Sequence, residues 1–222
     1  MGQWIELTAS DGVRISAYRA DPDGKPRGGL VVVQEIFGVN SHIRGLCEAY
    51  AKEGYAAIAP GLFDRVEPRV ELGYSEQDIA RGRDLKTASP TDAALRDIAA
   101  ARDAVASAGK VGIVGYCWGG YLAWMAAARI PGFAAAVPYY GGGMPDAAGE
   151  QPKCPVMGHF GKQDKNIPVE GVQKLAAAHP EAQVFFYDAG HGFNCDQRGS
   201  YDATAAKLAR ERTLDFLHKH VG

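Results

Sequence analysis

Ten residues near the middle of the chain, 111–120, read VGIVGYCWGG and determine the predicted fold. The first four are apolar and mostly β-branched, which predicts a short buried strand. Glycines stand two residues before and two residues after Cys117, and an alanine-rich helical pattern follows. A sharp strand-to-helix turn strains its central residue and leaves no room for side chains beside it, so glycine fits best there. This pattern is typical of a turn that presents a nucleophile, here a cysteine; an unreactive buried cysteine is the simpler alternative.

Short apolar runs alternate with helical stretches along the rest of the chain. Strands are predicted at residues 4–7, 13–19, 29–34, 55–59, 111–116, 134–140, 156–160 and 184–187. Helices are predicted at residues 41–53, 91–108, 119–129, 168–178 and 201–219. The order predicts one α/β domain over residues 1–222, with a mostly parallel sheet, helices on both faces and an N-terminal antiparallel hairpin at one edge.

The charge-rich stretch 63–89 breaks this alternation. It is less regular than the rest of the chain, and it favours an excursion or lid with one short helix rather than a second domain. We find no internal repeat and no low-complexity linker.

Composition narrows the classes of function. The 222 residues are 46% hydrophobic and 23% charged, with a formal net charge of −2. These values are typical of a soluble globular domain, and we expect neither a nucleic-acid nor a membrane partner. No apolar run approaches the roughly 20 residues that span a bilayer, and the N-terminus lacks the regions of a signal peptide. The four cysteines form no C-x-x-C pair, so we expect a reduced, cytoplasmic protein in which Cys47 and Cys154 are buried hydrophobic residues. We also expect a monomer.

Two residues later in the chain complete a candidate catalytic trio with Cys117. Asp164 and His191 each follow a predicted strand, in the order acid then histidine that a nucleophile turn of this kind requires. His191 Nε2 would accept the thiol proton, and Asp164 would hold the imidazole ring in the right tautomer. Each could alternatively be an ordinary turn residue. The remaining histidines have no such context and are interpreted as surface or packing residues: His42, His159, His179, His218 and His220.

Several segments together resemble the dienelactone hydrolase family of cysteine α/β-hydrolases. Residues 34–40 read QEIFGVN, residues 112–120 read GIVGYCWGG, and residues 211–217 read ERTLDFL. With Asp164 and His191, the resemblance covers nearly the whole chain. It implies the α/β-hydrolase fold and hydrolysis of a carboxylic ester or lactone, of carboxymethylenebutenolidase type, through a thioester acyl-enzyme. It also implies that no cofactor is needed.

The resemblance assigns roles to residues at matching positions. It implies that Cys117, His191 and Asp164 form a triad and that the backbone N–H groups of Ile36 and Trp118 form the oxyanion hole. Substrate-binding residues are implied or proposed at Phe37, at Arg81 or Arg83 from the irregular segment, and at Arg198.

Glu35 is the family's additional carboxylate. The resemblance implies that it contacts the resting thiol and swings away when substrate binds. A nearby negative charge opposes thiolate formation and would protect the thiol from oxidation. The alternative is a loop carboxylate that pairs with an arginine.

One position departs from the family. Members that open dienelactones hold the substrate carboxylate with two arginines, one of them four residues after the triad histidine, where this chain has Cys195. Arg198 lies three residues further on and could substitute only if the loop differs. We therefore expect less discrimination between anionic and neutral esters than in a dienelactone specialist.

Other classes of function remain as alternatives. The same trio would serve a broader esterase or thioesterase. A binding or sensing protein could keep the fold without turnover, although it would not need the trio. A redox pair of Cys117 and Cys195 stays open. We expect no metal, because His191, Cys195 and Asp196 lack further ligands at metal spacing.

Overall fold

An eight-stranded sheet forms the centre of the protein in the computed structural model, which describes residues 2–222. The strands are β1 (Gln3–Thr8), β2 (Arg14–Ala20), β3 (Gly28–Val33), β4 (Tyr55–Pro60), β5 (Val111–Tyr116), β6 (Phe133–Tyr139), β7 (Met157–Gly161) and β8 (Gln183–Tyr187). The helices are α1 (Ser41–Lys52), α2 (Glu76–Thr87), α3 (Thr91–Val105), α4 (Trp118–Arg129), α5 (Val169–Ala178) and α6 (Ala203–His220).

The strands lie in the order β1-β2-β4-β3-β5-β6-β7-β8. β1 pairs antiparallel with β2, and β2 pairs antiparallel with β4, so the predicted edge hairpin is confirmed. All pairs from β4 to β8 are parallel. Every residue of β3, β4 and β5 is buried, as expected for strands that helices cover on both faces.

The helices cover both faces of the sheet. α1 and α6 lie together on one face, where Arg210 of α6 pairs with Glu53 just after α1 (2.8 Å). α3 and α4 lie on the other face. Consecutive residues of β3 face opposite sides of the sheet. A Cβ added at Gly28 would meet Val221 after α6, whereas one added at Gly29 would meet Val105 of α3.

Predicted and observed elements differ mainly at their ends. The predicted helix 91–108 stops at Val105, and residues 106–108 form a short 3₁₀ turn. The irregular stretch 63–89 does contain a helix, α2, which starts at a capping box between Ser75 and Asp78. No helix within residues 2–222 combines the length and the apolar character that crossing a membrane requires.

Candidate active site

The turn between β5 and α4 holds Cys117 in a strained backbone conformation, with a φ of +55°. The flanking glycines are needed for steric reasons. A Cβ added at Gly115 would collide with the Gly119 carbonyl oxygen, and one added at Gly119 would collide with the Val33 carbonyl oxygen. The turn therefore packs against the end of β3, and Cys117 is only partly buried at the start of α4.

A continuous hydrogen-bonded line joins Cys117, His191 and Asp164. His191 Nε2 lies 3.1 Å from Cys117 Sγ, and His191 Nδ1 lies 2.7 Å from Asp164 Oδ2. The other oxygen of Asp164 accepts the Asn166 N–H (2.8 Å), which fixes the carboxylate. Burial opposes a charge on His191, but the hydrogen bonds to Asp164 and Cys117 outweigh it and raise the pKa of His191 to about 10. The arrangement can pass a proton between a thiol and an imidazole.

Two adjacent parallel strands bring the acid and the base together. Asp164 follows β7 and His191 follows β8, and both loops leave the same edge of the sheet. Backbone hydrogen bonds tie these loops to each other: Lys162 N–H donates to the Tyr187 carbonyl (2.8 Å) and Gln163 N–H to the Ala189 carbonyl (3.0 Å). The separation of His191 from Asp164 is therefore set by the sheet register.

The two predicted oxyanion donors lie on different elements at this edge. Ile36 follows β3, and Trp118 is the first residue of α4. Neither backbone N–H makes a hydrogen bond to another residue in the part of the chain that the structure describes. Both N–H groups therefore remain available to another acceptor, and the N-terminus of α4 adds a partial positive charge.

Comparison with known proteins identifies the family to which this arrangement belongs. The model of the dienelactone hydrolase family matches residues 15–221. The carboxymethylenebutenolidases of Pseudomonas putida and Pseudomonas knackmussii are each 37% identical to this chain over 225 residues, covering 96% of it and 94% of each relative. A crystal structure from Klebsiella pneumoniae, described as that of a dienelactone hydrolase, is 33% identical, has a TM-score of 0.84 and covers 98% of this chain and 100% of that one.

This chain belongs to the dienelactone hydrolase family. It is a hydrolase with the α/β-hydrolase fold, as the sequence predicts.

The family's additional carboxylate, Glu35, is buried and paired with a cation. Its Oε1 accepts from Arg198 Nη1 at 3.0 Å, while Oε2 has no hydrogen-bond partner within residues 2–222. Within residues 2–222, the Cys117 thiol is hydrogen-bonded to His191 and Glu35 to Arg198, with no hydrogen bond between Glu35 and the thiol. The alternative interpretation, a loop carboxylate that pairs with an arginine, describes the observed contact.

Arg198 reaches the site because the loop after His191 folds back on itself. Cys195 N–H donates to the Gly192 carbonyl (3.0 Å), and Arg198 N–H donates to the Cys195 carbonyl (3.1 Å), so two successive turns return the chain. The guanidinium then lies 5.5 Å from the centre of the Phe37 ring. Arg198 is thus beside Glu35 and Phe37 although the family's arginine position holds Cys195.

The two candidate arginines of α2 point away from this cluster. Arg81 and Arg83 are both exposed, and Arg81 pairs with Glu67. The glycine between them explains their direction, since an added Cβ at Gly82 would collide with the Ile36 carbonyl oxygen. A helix turns by about 100° per residue, so its neighbours face outward when Gly82 faces the site. That either arginine contacts substrate stays a prediction.

Three residues near the site were not found from the sequence as candidates. Tyr140 directly follows β6 and has a φ of +35°; its ring centre lies 5.2 Å from that of His191, and its buried hydroxyl has no partner within residues 2–222. Tyr74 accepts a hydrogen bond from the Cys195 thiol (3.2 Å). His42, predicted as a surface or packing residue, is buried near Glu35. No local pattern marks an apolar strand end, a loop tyrosine or a helix histidine as functional.

The remaining cysteines are free thiols. Cys47 is fully buried, as predicted, whereas Cys154 is half-buried, because it lies in the loop before β7 rather than in an element that packs into the core.

Proposed function

We propose that this protein hydrolyses a carboxylic ester or lactone with Cys117 as nucleophile. The observation that carries the proposal is the unbroken line from Cys117 Sγ to His191 to Asp164, at 3.1 and 2.7 Å. It lies beside two unpaired backbone donors, which is the geometry that acyl transfer requires.

In the acylation step, Cys117 Sγ forms a bond to the substrate carbonyl carbon, and the carbonyl electron pair moves onto oxygen. The Ile36 and Trp118 N–H groups stabilise that oxyanion. The C–O bond then breaks, and the leaving oxygen takes the proton that His191 received from the thiol. For a lactone, the leaving oxygen stays attached to the acyl group, so the product is a ring-opened thioester.

In the deacylation step, water attacks the thioester carbon while His191 accepts its proton. The C–S bond breaks, the carboxylic acid departs, and His191 returns the proton to Cys117 sulfur. Asp164 keeps the ring oriented and stabilises the imidazolium in both steps. The hydrogen bond that His191 donates to Asp164 favours the imidazolium form, so His191 can hold the proton until the leaving group needs it.

The Glu35–Arg198 pair indicates how the pocket would bind charged and neutral substrates. Arg198 is largely buried, with 18% of its side chain exposed, and Glu35 compensates its charge. A substrate carboxylate would compete with Glu35 for the guanidinium, whereas a neutral ester would leave the pair intact. We propose that Arg198 binds the carboxylate of anionic substrates. The broader esterase alternative is favoured by the same pair, since Arg198 is already neutralised.

Replacing Arg198 should separate these two substrate classes. We expect Arg198→Lys, which keeps the charge but loses the planar fork, to lower the preference for an anionic lactone over its neutral methyl ester. Arg198→Ala should lower it further, by about tenfold to a hundredfold, which is the worth of a charge-assisted hydrogen bond. The measurement is the ratio of kcat/KM for the two substrates. This ratio does not depend on how much of each variant is folded.

Exposed arginines provide the comparison. Arg14→Ala, which removes an exposed arginine of β2, should leave the ratio unchanged. Arg81→Ala and Arg83→Ala test whether α2 contributes a contact. An unchanged ratio in Arg198→Ala would show that Arg198 does not bind the substrate carboxylate, and would favour the broader esterase.

Glu35→Gln should make the Cys117 thiol easier to ionise. The substitution removes a buried negative charge beside the site and leaves the positive charge of Arg198 uncompensated, and both changes favour the thiolate. The pH profile of Cys117 alkylation should therefore move to lower pH. Glu71→Gln is the matched control, because Glu71 also pairs with an arginine but is partly exposed. An unchanged profile, or one moved to higher pH, would contradict a restraining role for Glu35.

A further inference from the structure

Three buried side chains from distant parts of the chain meet beside the proposed active site. Glu35, His42 and Cys195 each offer one ligand atom, and these atoms lie within 4.8 Å of one another. All three residues are at least nine-tenths buried, with exposures of 1%, 6% and 0%. Glu35 Oε2 and His42 Nε2 have no hydrogen-bond partner anywhere in residues 2–222. Unpaired buried polar atoms are costly, so the cluster is suited to hold something that pairs with them.

The donor set indicates the kind of ligand. A thiolate, an imidazole and a carboxylate together are the ligands of Zn²⁺, whereas Mg²⁺ and Ca²⁺ take oxygen ligands alone. Zinc bonds of about 2.0–2.3 Å in a tetrahedron place neighbouring ligand atoms about 3.3–3.7 Å apart. The most widely separated pair of ligand atoms would therefore close in by at most about 1–1.5 Å.

The surroundings of His42 match a second feature of zinc sites. Its Nδ1 lies 3.5 Å from Asp196 Oδ1, and this contact leaves Nε2 as the nitrogen without a partner. A histidine that binds zinc usually donates its other ring N–H to a carboxylate, which sets the ring orientation and the tautomer. His42 and Asp196 also line a cleft of about 460 Å³ beside α1.

We propose that Glu35, His42 and Cys195 form a zinc-binding site next to the Cys117 centre, with water in the fourth position. The metal is held by a thiol other than the nucleophile. Such a site goes beyond the proposed hydrolysis, which needs no metal.

One charge and one protonated thiol oppose metal binding, and the thiolate that forms compensates the charge. Arg198, which is paired with Glu35, repels the cation. The Cys195 thiol must also lose its proton and its hydrogen bond to the Tyr74 hydroxyl. Burial raises the pKa of Cys195 to about 11, so the metal must supply the stabilisation of the thiolate. The thiolate charge then offsets that of Arg198. The competing occupant is an ordered water that bridges the unpaired atoms.

Cobalt distinguishes these occupants, because Co²⁺ bound to a thiolate in a tetrahedral site absorbs in both the near-ultraviolet and the visible range. We expect chelator-treated protein to bind one equivalent of Co²⁺ with both absorptions and to lose them when Zn²⁺ is added. Cys195→Ala should abolish the thiolate absorption, and Asp196→Asn should weaken zinc binding by about tenfold to a hundredfold. Circular dichroism would show that each variant is folded.

Two further variants assign the thiol. Cys117→Ala should keep the cobalt spectrum although it lacks the proposed nucleophile, so the metal site and the proposed function are tested separately. Cys154→Ala is the matched control for removing a thiol elsewhere. A cobalt–thiolate absorption that survives in Cys195→Ala and disappears in Cys117→Ala would overturn the proposal, as would no stoichiometric binding by the unaltered protein.

Discussion

Cys117→Ala should lower kcat/KM for ester hydrolysis by at least about 10⁴-fold, because no other group can form the acyl-enzyme. Cys117→Ser should recover little of this loss. Its hydroxyl is far harder to ionise than a thiol, and the site is built around a thiol that contacts His191 at 3.1 Å. Initial rates on an aryl ester give the loss, and mass spectrometry of quenched reactions should find the acyl group on Cys117.

The matched control is Cys154→Ala, which also removes a thiol but lies in the loop before β7, away from the triad. It should keep full activity and full acylation. Near-normal turnover by Cys117→Ala, with no acyl group on the protein, would show that hydrolysis proceeds without this nucleophile.

His191→Ala should lower kcat by about 10⁴-fold or more, and Asp164→Asn by a smaller factor, about 10²–10⁴-fold. Removing His191 removes proton transfer altogether, whereas removing the charge of Asp164 leaves a base that is poorly held. The double variant should be only slightly worse than His191→Ala alone, because the three residues act as a unit. Multiplicative losses would contradict a shared triad.

The pH profile of kcat/KM distinguishes an electrostatic effect of Asp164 on His191 from a merely structural role. The hydrogen bond that His191 donates to Asp164 helps to raise the pKa of His191 to about 10. In Asp164→Asn the pKa of His191 should fall, and the alkaline limb of kcat/KM should move to lower pH. Asp215→Asn and His218→Ala change exposed residues of α6 and should alter neither the rate nor the profile.

The fold follows from the sequence because its determinants are local. Buried strands appear as apolar runs, and the alternation of strands with helices leads to a parallel sheet. The Cys117 turn can be predicted for the same reason, because its glycines leave room for backbone atoms a few residues away and for the neighbouring strand. Asp164 and His191 follow as well, since each comes directly after a strand and parallel strands end at one edge.

Element ends are less well determined. The helix predicted at residues 91–108 ends at Val105, where no proline or glycine yet stops it, and continues as a 3₁₀ turn before Gly109. The choice between these geometries depends on packing against β3, where Val105 is fully buried.

What only the tertiary structure decided is the direction of individual side chains. The sequence left Arg198 without a firm place, but two successive turns after His191 bring its guanidinium to Glu35. The sequence did not distinguish Arg81 from Arg83 as a substrate-binding residue, but the contact of Gly82 with Ile36 turns both outward. Such directions depend on turn geometry and on the rotation of a helix about its axis, which contacts between distant segments fix.

The cluster of Glu35, His42 and Cys195 is the clearest case. Glu35 and His42 lie on either side of the start of α1, and Cys195 belongs to a loop near the other end of the chain. No spacing rule for metal ligands joins them, because the folded sheet and the returning loop bring them together rather than any local segment. The sequence thus determined the elements, the nucleophile turn and the chain order of the proposed triad. The tertiary structure decided which buried charges and donors face one another, because those contacts are made across the sheet edge and not along the chain.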